Sequence, residues 1–219
     1  MPPFTVLHVC MGNICRSPMA ERLLTRAVRE RVPDAEKLLH SNSAGTGGWH
    51  EGEGMNPPAA RQVRQRGGDP VGFAARRLRT DLVDSADLVL TATVDQQDFV
   101  VALRPDAAER TFVLGEFGRL LADVDAAALP PVWAPPAAGA HTARADASAS
   151  STAPEPDAVY ARGVALVAAA HAARGDAPPQ PGDDLDDPWG RGDQTFGRVA
   201  DEIEDTVRPF VALLLPYPR

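Results

Sequence analysis

The chain has 219 residues, 44% of them hydrophobic and 24% charged, with a formal net charge of −8. This is room for one globular domain of about 150 residues plus an elaboration, with a buried core. The charge argues against nucleic-acid binding by bulk electrostatics, no apolar run reaches the roughly 20 residues of a membrane span, and Met1-Pro2-Pro3-Phe4 lacks the features of a secretory leader.

Residues 5–9 are β-branched and aliphatic and read as a buried first strand. A loop from Cys10 to Arg16 follows. Ser17 then Pro18 reads as a helix N-cap with proline at the first helical position, and Glu21 nearby favours the helix start. Met19, Leu23, Leu24, Ala27 and Val28 keep helical spacing to about Val32. Strand, tight loop, helix opens a βαβ unit. The alternation continues with strands over 38–43, 88–92 and 111–114, and helices over 59–66, near 80–85 and over 94–103. It predicts an α/β fold: a small four-stranded parallel sheet with helices on both faces.

Residues 123–181 break this pattern with 21 alanines and 9 prolines, and read as an insertion into a single domain. Within it, 159–174 has the pattern of an alanine-rich helix with a thin apolar face, and 147–153 that of a disordered edge. The insertion is expected to be a solvated elaboration, placed in sequence where it would cover or widen a cleft. The acidic run Asp183-Asp184-Leu185-Asp186-Asp187-Pro188-Trp189-Gly190 comes next. From about Thr195 a last helix aligns Phe196, Val199, Ile203, Val207, Phe210 and Leu214 on one face. Pro209 is expected to kink or break it.

The first loop carries the chemistry. A strand that stops, turns on Gly12 and starts a helix at Ser17 gathers backbone N–H groups into one concavity, an anion site at a helix N-terminus. Cys10 enters that concavity, where positive potential favours the nucleophilic thiolate. Arg16 leaves it and presents a planar fork to two oxygens of a tetrahedral oxyanion. The Gly-Lys-Ser/Thr ending of a nucleotide-binding phosphate loop is absent. Cys10 and Cys15 are the two cysteines, so a disulfide scaffold and a four-cysteine zinc site are excluded. Both are expected as reduced thiols in the cytoplasm, and neither a metal nor another cofactor is expected.

Val9-Cys10-Met11-Gly12-Asn13-Ile14-Cys15-Arg16-Ser17-Pro18 resembles the N-terminal active-site motif of the low-molecular-weight protein tyrosine phosphatases. Ser43-Ala44-Gly45-Thr46 with Trp49-His50 is similar to a second block of bacterial members, and Asp187-Pro188-Trp189 to their general-acid loop. The resemblance spans residues 4–121 and 183–215. It implies that Cys10 attacks phosphorus to form a phosphocysteine, while Arg16 and the amides of Met11, Gly12, Asn13, Ile14, Cys15 and Arg16 hold the equatorial oxygens. It further implies that Asn13 and Ser43 brace the loop, that Ser17 stabilises the thiolate, and that Asp187 first protonates the leaving phenolate and then activates water. Repulsion from Asp183, Asp184 and Asp186 would favour the protonated acid. The implied partner is a phosphotyrosine-containing protein.

Trp49 and Trp189 fall in loops and are read as opposite walls of a slot for a flat phenyl ring. Cys15 stands either as a packed thiol or as a disulfide partner for Cys10 under peroxide. His8 shares the strand face of Cys10 and is read as a core residue rather than a tuner of the thiol. Departures from the family pattern are Gly190 after Trp189 and Phe73 where many members have histidine. Phosphoarginine hydrolysis, in a branch with threonine at the place of Ile14, and thiol-dependent arsenate reduction, which needs further cysteines, are the enzymatic alternatives. A phosphoprotein-binding module without turnover is the non-enzymatic one.

Overall fold

The computed structural model describes residues 1–133 and 153–217. Among them are four strands, β1 (Phe4–Cys10), β2 (Leu39–Gly45), β3 (Leu88–Thr91) and β4 (Thr111–Val113). The helices are α1 (Arg16–Arg31), α2 (Ala35–Leu38), α3 (Pro57–Gln65), α4 (Thr80–Asp84), α5 (Val94–Leu103), α6 (Leu114–Leu120), α7 (Pro156–Arg174) and α8 (Asp193–Leu214). The strands are all parallel in the order β2-β1-β3-β4. The chain steps from β1 to β2 on one side, then returns to β3 on the other. The switch point, where open α/β sheets bind their ligands, therefore lies at the end of β1. Cys10 is the last residue of that strand, paired in register with Gly45.

Both faces of β1 are buried, as a central parallel strand requires. Phe4, Val6 and Cys10 belong to the core shared with α1 and α8; Leu7 and Val9 belong to a second core with Leu78, Val83, Val89 and Val100. Helix α8 sets Phe196, Val199, Ile203, Val207, Phe210 and Leu214 into the larger core, all nearly inaccessible. It runs on through Pro209 instead of breaking there, because packing along this face holds both sides of the proline. Helices α2 and α6 have no counterpart in the sequence reading.

Within residues 123–181, helix α7 differs from the sequence reading in two respects. Helix α7 is docked rather than solvated: Val159, Leu166, Val167 and Ala170 are buried on the sheet and its neighbours. It also lies at the wrong end of the sheet to cover a cleft at Cys10. Its Tyr160 hydroxyl donates to Asp87 Oδ1 at 2.9 Å, just before β3, and Arg174 Nη1 donates to the Thr111 carbonyl at 2.8 Å, where β4 starts. Phe4, at the start of β1, packs edge-on against Tyr160 with ring centroids 6.2 Å apart. These are N-terminal strand ends, opposite the Cys10 loop. Apart from Ala153, the expected disordered edge at 147–153 lies outside the described residues. No helix among the described residues is long and apolar enough to cross a membrane.

Candidate active site

The loop after β1 is shaped by what its carbonyls do. Those of Cys10, Met11 and Ile14 accept hydrogen bonds from Thr46, Gly47 and Asn56 at 2.9, 2.9 and 2.8 Å, so the loop is fastened from outside. Among the described residues no protein acceptor takes the N–H groups of residues 11–15, which leaves them for an anion. Gly45 makes the approach possible: a Cβ there would sit 2.7 Å from the Met11 carbonyl and 3.0 Å from the Asn13 nitrogen. Asn13 turns the loop with φ of 53°, the left-handed region that asparagine tolerates better than most residues.

Beneath the loop runs a buried polar chain whose donor order can be read from its ends. The Arg76 amide donates to Asn13 Oδ1 at 2.9 Å, which orients the amide group. Asn13 Nδ2 must then donate, and it reaches Ser17 Oγ at 2.9 Å and Ser43 Oγ at 2.8 Å. Ser43 passes its own proton to Glu21 Oε2 at 2.6 Å, and Ser17 passes its proton to Cys10 Sγ at 3.0 Å. A hydroxyl that already accepts from asparagine is thus directed at the sulfur, where it stabilises negative charge.

Two sequence expectations are corrected here. Helix α1 begins at Arg16, with Cys15 rather than Ser17 in the cap position, and the Ser17 hydroxyl serves the thiol instead of the helix end. Glu21, read as favouring the helix start, lies beyond the first turn and is a buried carboxylate, its pKa raised by burial against the opposing Ser43 hydrogen bond and the Arg22 and Arg76 charges. Only its contact with Ser43 across the sheet shows its part in the site; no local signal did.

Arg16 is 5% exposed and joins the loop to the acidic run. Its Nη1 donates to the Leu185 carbonyl at 3.2 Å, and its Nη2 lies 3.5 Å from Asp187 Oδ1. Its Nε is buried without a partner among the described residues, a donor suited to an oxyanion. The acidic run is no patch of mutual repulsion, contrary to the sequence expectation. Asp183 pairs with Arg119 at 2.9 Å, Asp184 accepts from the Val94 amide at 2.9 Å, and Asp186 pairs with Arg198 at 2.7 Å. These partners are distant in sequence, which is why counting neighbouring carboxylates misjudged the field.

One cavity of about 160 Å3 collects Cys10, Arg16, Trp49, His50, Asp187 and Trp189, together with Met11, Gly12, Ile14 and Cys15. Ser17, Asn13 and Ser43 stand behind it. Trp49 and Trp189 are 71% and 55% exposed, apolar surface at the mouth that a flat ring would cover. The sequence reading left His50 without a role, yet its ring lies 5.6 Å from that of Trp189. Both cysteines are free and buried. Burial, reinforced by the negative charge of Cys10 and Asp187 against the Arg16 cation, pushes the Cys15 thiol up to about 12. His8 is a core residue, bonded through Nε2 to Ser41 Oγ at 3.2 Å and held by burial at about 3.

A cysteine at the end of a parallel strand, facing an amide-lined anion loop and an arginine, defines the thiol-dependent oxyanion-binding α/β proteins. The family model described as low molecular weight phosphotyrosine protein phosphatase matches residues 5–127. The chain belongs to this family. It is 44% identical over 89 residues to the low molecular weight protein-tyrosine-phosphatase of Streptomyces coelicolor, covering 40% of this chain and 51% of that one. It is 36% identical over 121 residues to the probable low molecular weight protein-tyrosine-phosphatase EpsP of Ralstonia solanacearum, covering 55% and 76%. The chain thus spans about half the length of the Streptomyces relative. Similar folds are the tyrosine phosphatase AmsI of Erwinia amylovora (TM-score 0.58, 19% identity, 94% of this chain and 90% of that one) and the YwlE arginine phosphatase of Geobacillus stearothermophilus (0.58, 21%, 94% and 90%). Asp187 lies beyond the matched segment, so its place in the site rests on the geometry alone.

Proposed function

We propose that this chain hydrolyses phosphotyrosine in proteins through a phosphocysteine intermediate. The observation that carries the reading is the convergence of Cys10, Arg16 and Asp187 on one cavity, with the Ser17 hydroxyl donated to the sulfur at 3.0 Å. The phosphoryl group docks on the free loop amides and Arg16, which neutralise its oxygens as charge shifts in the transition state. The Cys10 thiolate forms the S–P bond as the P–O bond to the aryl group breaks. Asp187 gives its proton to the departing phenolate. The resulting carboxylate takes a proton from water, whose oxygen attacks phosphorus and breaks the S–P bond. Inorganic phosphate leaves, and thiolate and acid are restored.

The mouth supports an aryl ester as substrate. Trp49, Trp189 and the buried Ile14 offer apolar surface around the anion site, where an aromatic ring gains by burial and stacking. Free thiols, one of them the nucleophile, support the reducing cytoplasm as the setting. Phosphate release from a phosphotyrosine peptide, with phosphoarginine and phosphoserine peptides alongside, tests the reading. Fast release from phosphotyrosine alone, lost in Cys10→Ser while that variant still binds phosphate, is the expected result. Preference for phosphoarginine would keep the chemistry and overturn the substrate; retained turnover in Cys10→Ser would overturn the mechanism.

A further inference from the structure

The acid loop is held unevenly. At its upstream end, Leu185 donates its N–H to the Ala92 carbonyl at 2.8 Å and its carbonyl accepts from Arg16. Asp186 is tied to Arg198. Past the acid the hold changes character. The Trp189 amide donates to Asp187 Oδ1 at 3.3 Å, across the fixed φ of Pro188, so Trp189 shares with Arg16 Nη2, 3.5 Å from the same oxygen, the positioning of the carboxylate. Yet the indole is more than half exposed, and the one ring it meets among the described residues is His50, at 5.6 Å and 44°.

His50 in turn is held on two sides. Its Nδ1 is bonded to Glu53 Oε2 at 2.9 Å, which fixes the ring plane and tautomer. Its Cδ2 edge lies against the nucleophile loop, 3.1 Å from where a Cβ on Gly12 would stand. The imidazole therefore bridges the loop that carries Cys10 and the tryptophan that carries the Asp187 tether.

We propose that His50 is a positioning residue for general-acid catalysis: its ring, anchored by Glu53 and seated on the Cys10 loop, holds Trp189 and through it Asp187 over the nucleophile. This rests on the reading of Asp187 as the acid. A wall that only bound the aryl ring would affect all aryl phosphates alike. A residue that places the acid matters most when the leaving group needs a proton.

The test is the leaving-group dependence of single-turnover release, comparing phenyl phosphate with p-nitrophenyl phosphate. In His50→Ala, release from phenyl phosphate falls about tenfold and from p-nitrophenyl phosphate less than about twofold, part of the loss expected on removing a general acid. His50→Phe, which keeps a ring against Trp189, recovers most of it, and Glu53→Gln shifts the ratio in the same direction as His50→Ala. Inhibition by inorganic phosphate stays constant throughout, showing the anion loop intact. Equal losses on both substrates in His50→Ala, beside a selective loss in Asp187→Ala, would overturn the proposal and leave the acid assignment standing. A non-selective loss in Asp187→Ala itself would overturn the acid assignment, and the role of His50 with it. Glu53→Gln, at a mostly exposed site, decides the matter even where His50→Ala does not fold.

Discussion

Asn13 shows how far one side chain can determine a nucleophile's surroundings. Its oxygen is claimed by the Arg76 amide and its nitrogen by two hydroxyls, so exchanging that nitrogen for oxygen leaves shape intact and reverses the wiring. Asn13→Asp sets a carboxylate against the lone pairs of Ser17 and Ser43. At about 1–3 kcal/mol for each buried hydrogen bond lost, kcat/KM should fall by about tenfold or more, read with p-nitrophenyl phosphate. Cys15 gives a second expectation at this scale. With its thiol pushed up to about 12, it has almost no thiolate at neutral pH. Iodoacetate should therefore alkylate one site in the folded protein, Cys10, and phosphate should protect it. Two equivalents incorporated without unfolding would contradict this placement of Cys15.

At the scale of elements, β1 with its loop and α1 was legible because every signal there is local: a buried strand composition, a glycine turn, a proline at a helix start. Helix α6 was not. Gly115 and Gly118 lower helix propensity and suggest a turn, but both are contact points. A Cβ on Gly115 would stand 2.5 Å from the Asp183 carbonyl, and one on Gly118 would stand 2.4 Å from Thr206 Oγ1. Close packing against the acid loop and α8 outweighs propensity, and such packing cannot be seen along the chain. The same holds for Glu21 and for the arginine partners of the acidic run. Strand β1 also carries a pH liability. His8 is held neutral down to about 3 by burial, whereas the unfolded chain protonates it near 6.5, so the unfolded state binds the extra proton. Stability should be lost as pH falls below 6.5. Thermal melts from pH 7 to 4 would show a declining Tm, and a flatter decline in His8→Phe.

For the whole molecule, helix α7 is fixed by an arginine that has no carboxylate partner among the described residues. Arg162 is 4% exposed, and its guanidinium donates to the carbonyls of Leu213, Leu129, Pro130 and Ala126 at 2.5, 3.2, 2.6 and 3.4 Å. One cation thereby ties α7 to the end of α8 and to residues 126–130, with the α8 dipole in its favour. Desolvation lowers its pKa, and the carbonyls make up for the missing anion. Arg162→Met leaves several of them unsatisfied and should lower unfolding stability by roughly 2–4 kcal/mol, measured by urea denaturation. Activity on p-nitrophenyl phosphate at 20 °C, about the temperature of greatest stability, should be retained.

That α7 sits across the N-terminal ends of the strands, with the proposed site at their C-terminal ends, means the two poles of the sheet answer to different demands. What is attached at one pole is insulated from the other by the length of a rigid β-strand. A fluorescent label on the outward Val164→Cys, attached while phosphate protects Cys10, should leave turnover of p-nitrophenyl phosphate unchanged and report what docks at that pole.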